Sequence, residues 1–164
     1  MEEQRPLTAG AELDVIARRL GEGWHLACDP QNEGRRARWY RAIRPEAQPA
    51  PVPGIIQQVF PDYHGVAWYW VRFTAPALRH PAERVLLSFG AVDYLAEVWL
   101  NGRAVGGHEG GETPFTLDVT GAIKPGKANL LAVRVANPGA EPVDGLVLDE
   151  IPHRNKRVPL TPGS

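Results

Sequence analysis

Asn101 and Gly102 stand between two apolar runs, residues 95–100 and 103–105, and they constrain the fold more than any other feature. A two-residue loop joins antiparallel strands through a turn whose central residues take positive φ, and asparagine followed by glycine accepts that geometry with least strain. A hairpin is therefore predicted at this point. Its first strand alternates: Ala96, Val98 and Leu100 face one way and Glu97 the other, the pattern of a strand with one buried face. Trp99 projects opposite Val98 and Leu100, which puts it between sheets or at a domain interface.

The same kind of run recurs along the chain. Residues 66–74 are aromatic and β-branched (Trp68, Tyr69, Trp70, Val71, Phe73) and stop at Pro76. Residues 85–89 stop at Gly90, and residues 115–119 and 130–136 are separated by Pro125-Gly126 and ended by Asn137-Pro138-Gly139. Residues 21–27 give a short strand ended by Asp29-Pro30. Residues 11–20 fit a strand through Ala11, Leu13, Val15 and Ala17, and a helix equally well through Leu13, Ile16, Ala17 and Leu20. Residues 31–50 are polar and basic around Trp39, Tyr40 and Ile43, as suits a short helical turn or an irregular cover, and Pro45, Pro49, Pro51 and Pro53-Gly54 make a stiff connection. Short strands punctuated by Gly and Pro, with no persuasive helix among them, predict an all-β fold, an antiparallel β-sandwich of the jelly-roll kind. The predicted core holds Val71, Phe73, Leu87, Phe89, Val98, Leu100, Phe115, Leu117, Leu131 and Val133.

Composition narrows the function. The chain has 164 residues, enough for one domain with one core, and a net charge of -1. Neither a general nucleic-acid partner nor a membrane surface is expected, because both need a basic field. Glycine (17) and proline (16) are frequent but lie between apolar runs, so they mark turns and not disorder. Cys28 is the sole cysteine, so an internal disulfide and a cysteine-based zinc site are excluded, and a packed thiol at a strand end is expected. Met1-Glu-Glu-Gln-Arg begins acidic without the apolar stretch of a signal peptide, and no run approaches a membrane span, so a cytoplasmic setting is the expectation.

Residue types that carry chemistry give little. Glu109 and Glu112 share a glycine-rich loop and Asp149-Glu150 lies near the end, but paired acids of this kind are ordinarily solvated. His25, His64, His80, His108 and His153 lack the spacing of metal ligands, and no phosphate loop or nucleophile elbow is present. No catalytic residue, metal or cofactor is expected. Arg35-Arg-Ala-Arg38 and Arg41, interleaved with Trp39 and Tyr40, fit a charged cover over buried aromatics.

Taken in order, several motifs carry a family resemblance. They are Gly23-Trp-His-Leu26 with Asp29-Pro30, Val52-Pro-Gly54, Tyr63-His-Gly-Val-Ala-Trp-Tyr-Trp70, Val98-Trp-Leu-Asn-Gly-Arg-Ala-Val-Gly106, His108-Glu-Gly-Gly-Glu-Thr-Pro-Phe115, Asp118-Val-Thr120, and Pro125-Gly126 followed by Asn129-Leu-Leu-Ala-Val-Arg-Val135. Over about residues 23–136 this series resembles the N-terminal sugar-binding domain of family 2 glycoside hydrolases, the β-galactosidase and β-glucuronidase enzymes. Glu112 and Trp70 depart from it, standing where tyrosine and arginine are frequent.

The resemblance implies a galactose-binding-domain-like jelly roll over residues 1–164 that is non-catalytic by itself. It also implies that the chain is a domain-sized piece, or a natural protein lacking the usual partners, which are an immunoglobulin-like domain and a catalytic barrel. Hydrolysis needs two carboxylates about 5–10 Å apart, and the family supplies them from the barrel. By the same resemblance Asn101 reaches the substrate in the intact enzyme; the competing reading makes it a turn residue only. A free-standing carbohydrate-binding module is the alternative function. Sugar affinity of the chain alone is expected to be weak or absent.

Overall fold

The computed structural model describes residues 17–139 and 142–144. Among these residues eight strands form two antiparallel sheets: β1 (His25–Cys28), β2 (Gln48–Pro49), β3 (Gly65–Thr74), β4 (Leu86–Phe89), β5 (Leu95–Leu100), β6 (Arg103–Glu109), β7 (Phe115–Asp118) and β8 (Ala128–Asn137). The larger sheet has the order β2-β1-β3-β8-β5-β6, and β4 and β7 pair as the smaller one. Among the described residues, regular helix is confined to two single 3₁₀ turns, Trp39–Arg41 and Ile56–Gln58. The expected all-β sandwich is what forms.

β8 lies at the centre of the larger sheet. It pairs with β3 over ten residues, from Gly65↔Asn137 to Thr74↔Ala128, and with β5 from Leu95↔Ala136 to Leu100↔Leu131. A strand flanked on both sides and covered on both faces reads as a continuous apolar run, and residues 129–136 are all buried. Leu131, Val133 and Val135 point, with Val71, Val98 and Leu100, towards the smaller sheet, where Leu87, Phe89, Phe115 and Leu117 close the core. Every predicted core residue lies in this cluster, five buried and five half-buried against them.

The opposite face carries a second core that alternation on one face does not anticipate. Trp68, Trp70 and Ala132 are fully covered there, with Trp39 buried beside them and Tyr40, Ile43 and Trp99 packed against the cluster. Its lid is the irregular segment over residues 29–47. The Asp29 carboxylate anchors that segment by accepting hydrogen bonds from the backbone N–H groups of Glu33 (2.9 Å) and Gly34 (2.9 Å) and from Trp68 Nε1 (3.0 Å). Trp70 Nε1 donates to the Trp39 carbonyl at 2.8 Å.

The hairpin is a two-residue one, with Leu100 opposite Arg103 and φ of 53° at Asn101 and 79° at Gly102. β6 runs to Glu109, past the expected end at residue 105. The ambiguous stretch over residues 11–20 falls mostly outside the described residues.

Candidate functional site

Asn101 tips the hairpin and is half-buried. Its Nδ2 donates to the Ala122 carbonyl (2.9 Å) and to Asn129 Oδ1 (2.8 Å), while its Oδ1 accepts the Leu130 N–H at 3.0 Å. Asn129 is buried and equally engaged: its Oδ1 also accepts from the Lys124 N–H, and its Nδ2 donates to the carbonyls of Lys124 and Lys127. Two amides thus tie the β5–β6 turn to the connection between β7 and β8. Both Asn101 amide hydrogens are used, and one Oδ1 lone pair remains for any further partner.

Behind the hairpin, four rings form a ladder. Tyr40 stacks on Trp99 (centroids 5.1 Å apart, planes 6° from parallel), Trp99 meets Trp68 at 5.1 Å, and Trp68 stacks on Trp70 at 6.2 Å. Trp99 therefore lies under the covering segment, on the face turned away from the smaller sheet.

Sequence reasoning missed the polar centre beside this ladder. Arg134 is completely buried, yet it is the one cation in the apolar run of β8. Its Nη1 donates to Glu97 (2.6 Å) and its Nη2 to Asn32 (2.6 Å) and Asp144 (2.8 Å). Arg35 bridges the same two carboxylates, at 2.7 Å from Asp144 and 3.4 Å from Glu97. Burial by itself raises the Asp144 carboxyl, and the Asn32 amide with the Arg134 and Arg35 guanidiniums more than reverses this, holding it below the ordinary carboxylate value. The available signal was a charged residue inside an otherwise apolar strand, which a buried charge must answer with partners.

The other candidates among the described residues lie in separate surroundings. Glu109 accepts a hydrogen bond from the Tyr94 hydroxyl at 3.0 Å, and both Glu109 and Glu112 are exposed. His108 bonds Thr113 (2.8 Å) and stacks on Phe115, the Nδ1 of His80 accepts from the Ala82 N–H, His25 contacts the Gly23 carbonyl, and His64 is exposed. Among the described residues no three His, Cys, Asp or Glu side chains converge on a metal position. Asp149, Glu150 and His153 lie outside the described residues. Cys28 is half-buried at the end of β1, and burial pushes its thiol up to about 11.

The antiparallel sandwich and its sequence have known counterparts. The sequence profile described as glycosyl hydrolases family 2, sugar binding domain, matches residues 55–150, so the chain belongs to that family. It is similar to a β-glucuronidase of Paenibacillus borealis, 32% identical over 119 residues, covering 70% of this chain and 20% of the relative. It is also similar to a β-galactosidase of Thermoanaerobacter pseudethanolicus, 43% identical over 75 residues, covering 45% of this chain and 10% of the relative. The crystal structure of Ruminococcus gnavus β-glucuronidase superposes with a TM-score of 0.67 at 30% identity, covering 72% of this chain and 21% of that one. The chain spans about a fifth of the length of the first curated relatives it matches.

Proposed function

We propose that the chain serves as the non-catalytic sugar-binding domain of a family 2 glycosidase that acts on a β-glucuronide or β-galactoside, bracing a catalytic barrel and lending a loop to its pocket. The observation that carries this reading is the family match over residues 55–150, joined to glycosidase relatives of which the match covers only about a fifth. In support, Glu109 and Glu112 are exposed, and the neighbouring pair Glu97 and Asp144 is occupied by Arg134 and Arg35. A uronic acid is the favoured sugar of the parent, because β-glucuronidases recur among the relatives.

Within this reading Asn101 is the residue offered to substrate, through the one Oδ1 lone pair its internal hydrogen bonds leave open. The test expresses the reading frame that holds the chain and compares it with the 164-residue chain alone on chromogenic β-glucuronides and β-galactosides. Turnover by the longer protein only is expected; turnover by the short chain would overturn the non-catalytic assignment. In the longer protein, Asn101→Asp is expected to raise KM, and unchanged kinetics would remove the contact.

A further inference from the structure

The segment covering the second core carries five arginines within ten residues: Arg35, Arg36, Arg38, Arg41 and Arg44. Two are committed internally. Arg35 joins the Glu97–Asp144 network, and Arg44 pairs with Glu46 at 3.0 Å with its guanidinium 4.9 Å from the centre of the Trp39 ring. Arg36, Arg38 and Arg41 are exposed and have no ion pair or side-chain hydrogen bond among the described residues. Three uncompensated cations on one short segment contrast with a whole-chain charge of -1.

Tyr40 stands between Arg38 and Arg41. One face of its ring is fixed by the parallel stack on Trp99, itself held by Trp68. Tyr40 keeps part of its surface open, and its hydroxyl makes no hydrogen bond among the described residues. Arg41, next to Tyr40 in the chain, passes over the hairpin tip, its Cγ 3.7 Å from where a Cβ on Gly102 would sit.

We propose that this surface binds a glycan segment bearing carboxylates, the Tyr40 ring meeting the C–H face of a pyranose and Arg36, Arg38 and Arg41 receiving uronate groups. The inference rests on the glycosidase-domain reading above and adds to it a carboxylate contact made by this domain's own covering segment. The chemistry favours a carboxylated sugar over a neutral one because the guanidinium fork matches a carboxylate with two parallel hydrogen bonds. It favours a sugar over a featureless polyanion because an immobilised ring is a plate for a flat apolar face, and its entropy of ordering is already spent.

The test titrates the 164-residue chain with a glucuronate-containing hexasaccharide and with its carboxyl-reduced counterpart, followed by NMR shifts. Ionic strength is held at or below about 0.1 M, where charges act over about 10 Å. The acidic oligosaccharide is expected to bind at least about tenfold more tightly than the reduced one. The double variant Arg38→Ala/Arg41→Ala is expected to lose about tenfold, Tyr40→Ala several-fold, and Arg103→Ala on the same hairpin nothing, at unchanged thermal midpoints.

Absence of binding overturns the proposal, as does equal binding of the reduced sugar. Dextran sulfate or a single-stranded oligonucleotide binding as tightly, with no loss in Tyr40→Ala, overturns it in favour of general polyanion attraction. Should Tyr40→Ala shift the thermal midpoint, Tyr40→Phe keeps the ring and must retain the binding. Because only the short chain is used, failure here leaves the turnover test on the longer protein unaffected.

Discussion

At the scale of single residues, polar side chains and not apolar ones hold the special positions. Asn101 combines a positive φ with three hydrogen bonds. Asn101→Gly keeps the backbone and loses the bonds, at a cost of about 1–2 kcal/mol; Asn101→Ala adds left-handed strain of about 1 kcal/mol more, and urea midpoints should separate the two. The turn was legible from the dipeptide, but the bonds to Ala122, Asn129 and Leu130 were not, since those partners lie 21 to 29 residues away. Arg134→Ala leaves Glu97 and Asp144 to Arg35 alone, and both still reach water at about 30% exposure. Its cost should therefore fall near the lower end of the range for a broken buried pair, about 3 kcal/mol, with Arg134→Met costing less because it refills the space. The Asp144 carboxyl is held low in the folded state, so its stabilisation is complete above the unfolded value of about 3.9 and fades as pH falls through the folded one. Asp144→Asn should flatten the acid limb of a stability–pH curve, and an unchanged limb would refute the assignment. The thiol of Cys28, up at about 11, should alkylate slowly at neutral pH until denaturant is added.

Among the elements, strands with regular alternation were legible and the departures have local causes. β6 outruns its expected end because Gly106 and Gly107 are not a stop. A Cβ on Gly107 would lie 2.5 Å from the Ala96 carbonyl and one on Gly106 2.7 Å from Leu117, so these glycines permit close approach inside the sandwich. β2 is two residues long and includes Pro49, tolerated at the sheet's edge. The covering segment was legible in composition, with arginines outside and Trp39 inside, but its anchor was not. Gly34 exposes that anchor: a Cβ there would lie 2.4 Å from Trp68 Nε1 and 2.8 Å from Asp29 Oδ2. Gly34→Ala should lift the segment from Trp68, costing about 1–3 kcal/mol and red-shifting tryptophan emission; an unshifted spectrum would show that the segment closes some other way.

For the molecule as a whole, the core facing the smaller sheet could be named residue by residue, because both of its walls are strands of period two. The core under residues 29–47 could not, because an irregular wall has no period to read. Tight ring stacking in that second core should give near-ultraviolet exciton bands that Trp99→Leu abolishes. The position of β8 has a consequence for the chain's own manufacture. It separates β3 from β5, so before residues 128–137 are synthesised the larger sheet exists only as two pieces, β2-β1-β3 and β5-β6, each showing a bare edge. A nascent polypeptide halted at residue 127 would be a sticky, unclosed object, and ribosome-stalled versions of that length should be taken up by chaperones, whereas those extended past residue 144 are released from them.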